Sequence, residues 1–283
     1  MGLYEQPNRW QCGPFALKHA LVALGIFAPE RTITEFAGAR RGGGTDERQL
    51  RRAARRFRCD LTPIRRHEPE LARQELLAHL RRGHPCLICV KEWEHWVTVV
   101  KGEAGKFIVL DSEKSAVLTI YSWGQLRRAW VYHERDERDR GLDETIYDLF
   151  PVVPRERVTT RARFSLARAR YLRKPEHRRL AAHWDQYLAD LLTICRRRTA
   201  LSSRVMSMGE FFRRNRTMIL DQVVFWHGEM KRPPAERVLR NMHFVADTYG
   251  LVIRTRDEKR AIAGISTILA LWAAGQGKVQ KFY

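Results

Sequence analysis

Four residues, carried by four separate stretches of the chain, are of types that could together break an amide bond: Gln6, Cys12, His95 and Asp111. Cys12 stands at the head of an apolar, Ala- and Leu-rich run, with Gly13 and Pro14 directly after it. A thiol attacks a carbonyl carbon as its thiolate, and its pKa falls at a helix N-terminus and beside an imidazole. Pro14 suits a first helical turn, and Gly13 lets another stretch of backbone come close. The backbone N–H of the cysteine can supply one donor to a developing oxyanion. The amide of Gln6, six residues earlier, is placed to supply a second.

His95 opens the run "HWVTVV" and Asp111 closes the run "KFIVLD", sixteen residues on. Antiparallel strands joined by a short turn near Gly102–Gly105 put the start of the first beside the end of the second. The imidazole and its orienting carboxylate then share one edge of a sheet. A lone cysteine on an apolar helix is ordinarily a core residue; four such elements in order set this one apart.

The pattern Q-x5-C-G before a helix, "GGGTD" before another helix, "HWVTVV" and "KFIVLD" resembles the papain-like cysteine peptidases of the double-glycine (bacteriocin) leader peptidase class and their stand-alone relatives. The resemblance covers roughly residues 4–150. It implies Cys12 as nucleophile, His95 as general base and acid, Asp111 as orienter and Gln6 in the oxyanion hole, with no cofactor and no metal. Members without the cysteine are binding modules; this chain keeps it. Ser112 follows Asp111 where proline is common in the class, and Gln11 precedes Cys12 where an acidic residue often stands. No membrane transporter segment follows, so the role of cutting a leader during export does not carry over.

The elements that must position these groups read as helices first and sheet second. Helices are predicted over 12–24, 32–39, 46–57 (capped by Thr45) and 69–82, the last with Leu71, Leu76, Leu77 and Leu80 facing inward. Short β-branched runs at 61–64, 85–90, 95–101, 106–111, 116–121 and 145–153 predict an antiparallel sheet, with a helix at 123–130 between the last two. Residues 134–144 are a dense charge run that reads as a solvated loop. The fold expected is α+β: a papain-like domain, residues 1–153, with a buried helix packed on the sheet. An all-α helical bundle, residues 154–283, follows, with helices over 176–198, 209–230, 234–249 and 257–274.

Net charge is +20. Residues 1–150 hold 25 Lys and Arg against 21 Asp and Glu, and residues 151–283 hold 27 against 11, so the basic excess lies in the second half. Clusters at 161–173, 196–198 and 213–216 could meet an acidic protein or nucleic acid, or form solvated helix faces. There is no signal-peptide pattern and no apolar run long enough to span a membrane, which predicts a cytoplasmic protein. Five cysteines without an export signal read as free thiols. Cys86-Leu87-Ile88-Cys89 falls in a predicted strand, so its thiols face opposite sides and make neither a redox motif nor a metal site. Gly42-Gly43-Gly44 lacks the lysine of a phosphate loop and reads as a turn.

Two functions follow. The first is a soluble cysteine peptidase acting on a peptide or protein. The second is a peptide-binding module that does not cut, whose basic helical half docks an acidic partner or nucleic acid.

Overall fold

The structure is a computed structural model that describes residues 3–114, 117–134, 144–156, 161–197, 205–226 and 231–276, the side chains of 196–197, 226 and 273–276 excepted. It forms two compact units, residues 1–182 and 183–283. The sequence set the boundary at 153/154; residues 161–182 instead gather with the first unit.

The first unit begins with α1 (Cys12–Ala23), α2 (Glu30–Ala37) and α3 (Glu47–Arg56). Every residue of α1 is buried, as its apolar composition all round demands. Its two exceptions in type, Lys18 and His19, are accommodated differently. The Lys18 ammonium lies 3.2 Å from the centre of the Tyr4 ring, a cation–π contact. Burial, helped by the Lys18 charge, holds the His19 imidazole down at about 3.

The cap of α3 is Asp46, not Thr45. Asp46 Oδ1 accepts from the Gln49 N–H at 2.7 Å, and Gln49 Oε1 accepts from the Asp46 N–H at 2.8 Å. This reciprocal box needs a partner three residues on, which Asp46 has in Gln49. Thr45 turns inward instead. A Cβ built on Gly13 would run into Thr45 Oγ1 and would lie 3.3 Å from Leu50. The close neighbour that Gly13 admits is therefore a threonine side chain rather than backbone.

Next come β1 (Cys59–Leu61), β2 (Ile64–Arg66), α4 (Pro69–Arg81), β3 (Cys86–Val90), β4 (His95–Glu103), β5 (Lys106–Leu110), β6 (Leu118–Ser122), α5 (Trp123–Trp130), β7 (Tyr132–Glu134) and β8 (Glu144–Pro154). Two strands flank Pro63 where the sequence reads one. In α4 the buried stripe is Ala72, Leu76 and Leu80, at four-residue spacing, so Leu71 faces out and is 52% exposed. Most of the charge run, 135–143, lies outside the described residues. Then follow α6 (Leu166–Arg173), which packs on β5 and β6, and α7 (Arg178–Ala182).

The sheet is antiparallel, in the order β1-β8-β3-β4-β5-β6, with β2 and β7 also paired to β8. One face packs against α1, α2 and α3 through Leu17, Leu21, Ile33, Leu50, Cys89 and Trp96. The other packs against α4 and α5 through Leu76, Cys86, Val97, Leu126 and Trp130. Cys86 and Cys89 thus point to opposite faces, as the strand period requires.

The second unit is described by itself. It holds α8 (Trp184–Ile194), β9 (Arg196–Arg197), β10 (Val205–Ser207), α9 (Met208–Trp226), α10 (Arg232–Thr248), β11 (Leu251–Arg254) and α11 (Glu258–Gln276). It is helical as read, with one addition: a three-stranded sheet in the order β10-β11-β9. Two to four residues per strand are too few to show a period. Its core is apolar, and two buried tyrosine hydroxyls are satisfied: the Trp184 indole donates to Tyr249 Oη at 2.9 Å, and Asn241 Nδ2 to Tyr187 Oη at 3.0 Å. On α9, Arg213 and Arg214 pair with Glu210, and Arg216 with Glu236, so that cluster is a solvated, ion-paired face. Among the described residues no helix is long and apolar enough to cross a membrane.

Gly13→Ala tests the packing of α1. The added methyl meets Thr45 and Leu50, and overpacking of this kind costs about 1–3 kcal/mol. A lowered midpoint in thermal unfolding is expected, with partial recovery on adding Thr45→Ala.

Candidate active site

The β4–β5 hairpin turns through Ala104 and Gly105, both left-handed (φ 48° and 70°), the conformation of a two-residue type I′ loop. Its register pairs Thr98 with Leu110 and slips by one residue between Val99 and Lys101. His95, at the start of β4, therefore stands by Asp111, just past the end of β5. His95 Nε2 lies 2.8 Å from Asp111 Oδ1, with both side chains buried. The convergence expected from the sequence is present for this pair.

Cys12 reaches the same corner from α1. The helix is pinned one turn further on, where Thr98 Oγ1 donates to the Ala16 carbonyl at 2.6 Å. Thr98 is three residues past His95 and Ala16 is four past Cys12, so a single buried bond fixes the thiol-bearing helix against the imidazole-bearing strand. His95 Nδ1 has no hydrogen-bond partner of ordinary geometry. Burial acts to lower the His95 pKa. The bond to Asp111, the contact with Cys12 and the charges of Asp111 and Glu113 outweigh it and raise it to about 9. Asp111 shifts the opposite way: burial would raise it, but His95 and the Glu113 N–H hold it below the usual carboxylate range.

Gln6 is tied to the residue after Asp111 at two points. Its backbone N–H donates to the Ser112 carbonyl at 3.0 Å, and its Oε1 accepts from Ser112 Oγ at 2.6 Å. The amide nitrogen donates to the Asn8 carbonyl at 3.0 Å. The Asn8 carbonyl, which can only accept, fixes which end of the Gln6 amide carries N–H, and Ser112, which departs from the resembled pattern, donates to the other end.

Glu113 was not legible as a site residue. Its Oε1 lies 3.5 Å from His95 Nδ1, and its carboxylate also pairs with Lys91. Continuing the Thr98–Leu110 register three residues past the strand sets 113 opposite 95, and 113 shares a side with 111. That period of two is the signal that could have found it. His95, Asp111 and Glu113 offer ligand atoms within 4.8 Å of one another. The bond to His95 and the Lys91 ion pair already occupy the two carboxylates.

Lys91 belongs to a tight turn. Lys91, Glu92 and Trp93 are all left-handed (φ 57°, 53° and 64°), at a cost of roughly 1 kcal/mol each for non-glycine residues. The turn is held by the Lys91 N–H on the Ala129 carbonyl at 3.0 Å and by Trp93 stacked on Tyr132 at 3.8 Å. Trp96 fills the core beside the site, its indole donating to the Thr45 carbonyl at 3.0 Å. Burial raises the thiols of Cys59, Cys89 and Cys195 to about 11, 12 and 12, and that of Cys86 as well, which makes them poor nucleophiles.

No family model matches this chain, and no curated protein matches it. Among solved structures it is similar to the peptidase domain of Streptococcus ComA, a bi-functional ABC transporter involved in a quorum-sensing pathway: 17% identity, TM-score 0.40, over 54% of this chain and 98% of that one. It is similar to a double-glycine-motif protease from an AMS/PCAT transporter, solved with its leader peptide: 18% identity, TM-score 0.39, over 53% and 91%. A C39-like peptidase from Bacillus anthracis matches at 12% identity and TM-score 0.39, over 55% and 95%.

The pH dependence of stability tests the buried pair. The folded pKa of His95 is about 9 and its ordinary value 6.5. The stabilisation from a charged His95 is therefore full below pH 6.5 and fades as pH rises through about 9. The gap in thermal midpoint between the natural chain and Asp111→Asn should be widest near pH 6 and narrow above pH 9. A gap constant over that range would contradict the charged pair.

Proposed function

We propose that the first unit is a cysteine peptidase that cuts a peptide or protein at an amide bond through Cys12, His95, Asp111 and Gln6. The observation that carries this reading is the buried imidazole bound to Asp111 through Nε2, with Nδ1 left for the thiol. A raised His95 pKa favours a charged imidazolium at neutral pH, the partner that an attacking thiolate requires.

The thiolate of Cys12 adds to the carbonyl carbon of the scissile bond. Cys12 opens α1, and its backbone N–H is the first donor for the developing oxyanion in this reading. The Gln6 amide spends one N–H on Asn8 and has a second to give. As the tetrahedral intermediate collapses, the imidazolium hands its proton to the leaving amine. The imidazole then takes a proton from water, whose oxygen attacks the acyl-enzyme and frees the thiol. Asp111 holds the ring in the orientation that both transfers need. Glu113 sits beside the nitrogen that carries the proton and keeps it there to higher pH.

The reading without cleavage, in which the basic second unit docks an acidic partner or nucleic acid, has less support. The three arginines of α9 already form ion pairs, sharing the two carboxylates of Glu210 and Glu236.

Alkylation by iodoacetamide, followed residue by residue by mass spectrometry, tests the proposal. Cys12 should react far faster than the other four cysteines at pH 7, and His95→Ala should slow it by ten-fold or more. Five equal slow rates would overturn the reading. In peptide hydrolysis the basic limb of the kcat/KM profile should fall near pH 9. Glu113→Gln should move that limb down by about half a unit to one unit, since Lys91 already offsets part of its charge.

A further inference from the structure

The basic cluster at 161–173 plays no part in the site above. Within the first unit, Arg161, Arg163 and Arg168 meet Arg81 and Lys101 around a cavity of about 430 Å³. We propose that this cavity binds a condensed phosphate, the polyphosphate chain of a nucleotide or its inorganic counterpart.

Three observations carry the proposal. The first is charge. Five cations line the cavity and no lining residue is acidic. Several arginines elsewhere in the chain do have an acid beside them: Arg65 has Asp148, Arg66 has Glu75, Arg155 has Asp60 and Arg214 has Glu210. Among the described residues no carboxylate pairs with Arg81, Lys101 or Arg161. The carboxyl ends of α1, at Ala23, and α4, at Arg81, abut the cavity and carry about half a negative charge each. Together they offset about one of those three cations. Glu103, on the strand that carries Lys101, accepts from the Leu166 N–H at 2.9 Å and keeps its negative charge, but it does not line the cavity.

The second observation is that the wall is built and not merely crowded. The extended segment before α6 is bolted to the carboxyl ends of α1 and α4 by the Ala162 N–H on the Ala23 carbonyl at 2.9 Å, and by the Arg161 guanidinium on the Arg82 carbonyl. Gly83 makes room for that guanidinium; a Cβ there would collide with it. The third is the floor. Leu80, Pro85, Val100 and Phe164 offer an apolar surface that a base or sugar ring could cover. The volume lies within the usual span for small-molecule sites.

The test uses the full chain and calorimetric titration with ATP, inorganic tripolyphosphate and adenosine, at 50 and 200 mM salt. Binding of one or both phosphate ligands is expected, weaker at high salt, with adenosine silent. Tighter ATP assigns the floor to the ring; equal affinities assign the ligand to the phosphate chain alone. The double variant Arg81→Gln with Lys101→Gln touches no hydrogen bond described above and should weaken binding at least ten-fold. Its unliganded thermal midpoint reports that it is folded. Arg213→Gln with Arg214→Gln, on α9, should leave binding unchanged. No binding of either phosphate, binding unmoved by the cavity variant, or equal loss in the α9 variant would overturn the proposal. Peptide hydrolysis is not read, so this outcome is independent of the proposed peptidase.

Discussion

A carboxylate and an imidazole, both out of water and 2.8 Å apart, set the terms for the first unit. Removing charges from solvent costs several kcal/mol for each ion, and the pair is tolerated only where its geometry is fixed and its remaining atoms are used. The β4–β5 hairpin supplies that geometry through a two-residue loop that allows one register. The remaining atoms are used as well. Asp111 Oδ1 also accepts the Glu113 N–H at 3.1 Å, and Nδ1 faces the thiol and Glu113.

Much of this was open to reading because it rests on local chemistry. The helix from Cys12, the two strands and the corner where His95 meets Asp111 all follow from periodicity, turn residues and antiparallel pairing. What escaped depends on side chains choosing among neighbours that the sequence does not order. Thr45 and Asp46 are both competent caps, and Gln49 decides between them. Leu71 and Ala72 differ by one position on α4, and the stripe through Leu76 and Leu80 selects the smaller residue. Glu113 lies past the end of β5, and only the strand register puts it across from His95. The break at His183 could not be seen because the apolar period runs through it, with Leu180 buried in one unit and Trp184 in the next.

The two sites proposed for the first unit share their scaffold. α1 carries Cys12 at one end and reaches the arginine-lined cavity with Ala23 at the other; β4 does the same with His95 and Lys101. The Thr98–Ala16 bond lies between the two ends. A rigid helix–strand pair of this kind lets opposite ends of one layer carry unrelated chemistry without competing for the same residues.

The clip between Gln6 and Ser112 closes a loop of 106 residues with two hydrogen bonds. The His95–Asp111 pair closes one of only sixteen. Loop-closure entropy grows with length, so the hairpin can organise early, while the amino-terminal strap docks late and is the first to lift. Fraying of that strap would take away an amide and leave the sheet whole, so catalytic competence and global folding would have different melting points in one small domain.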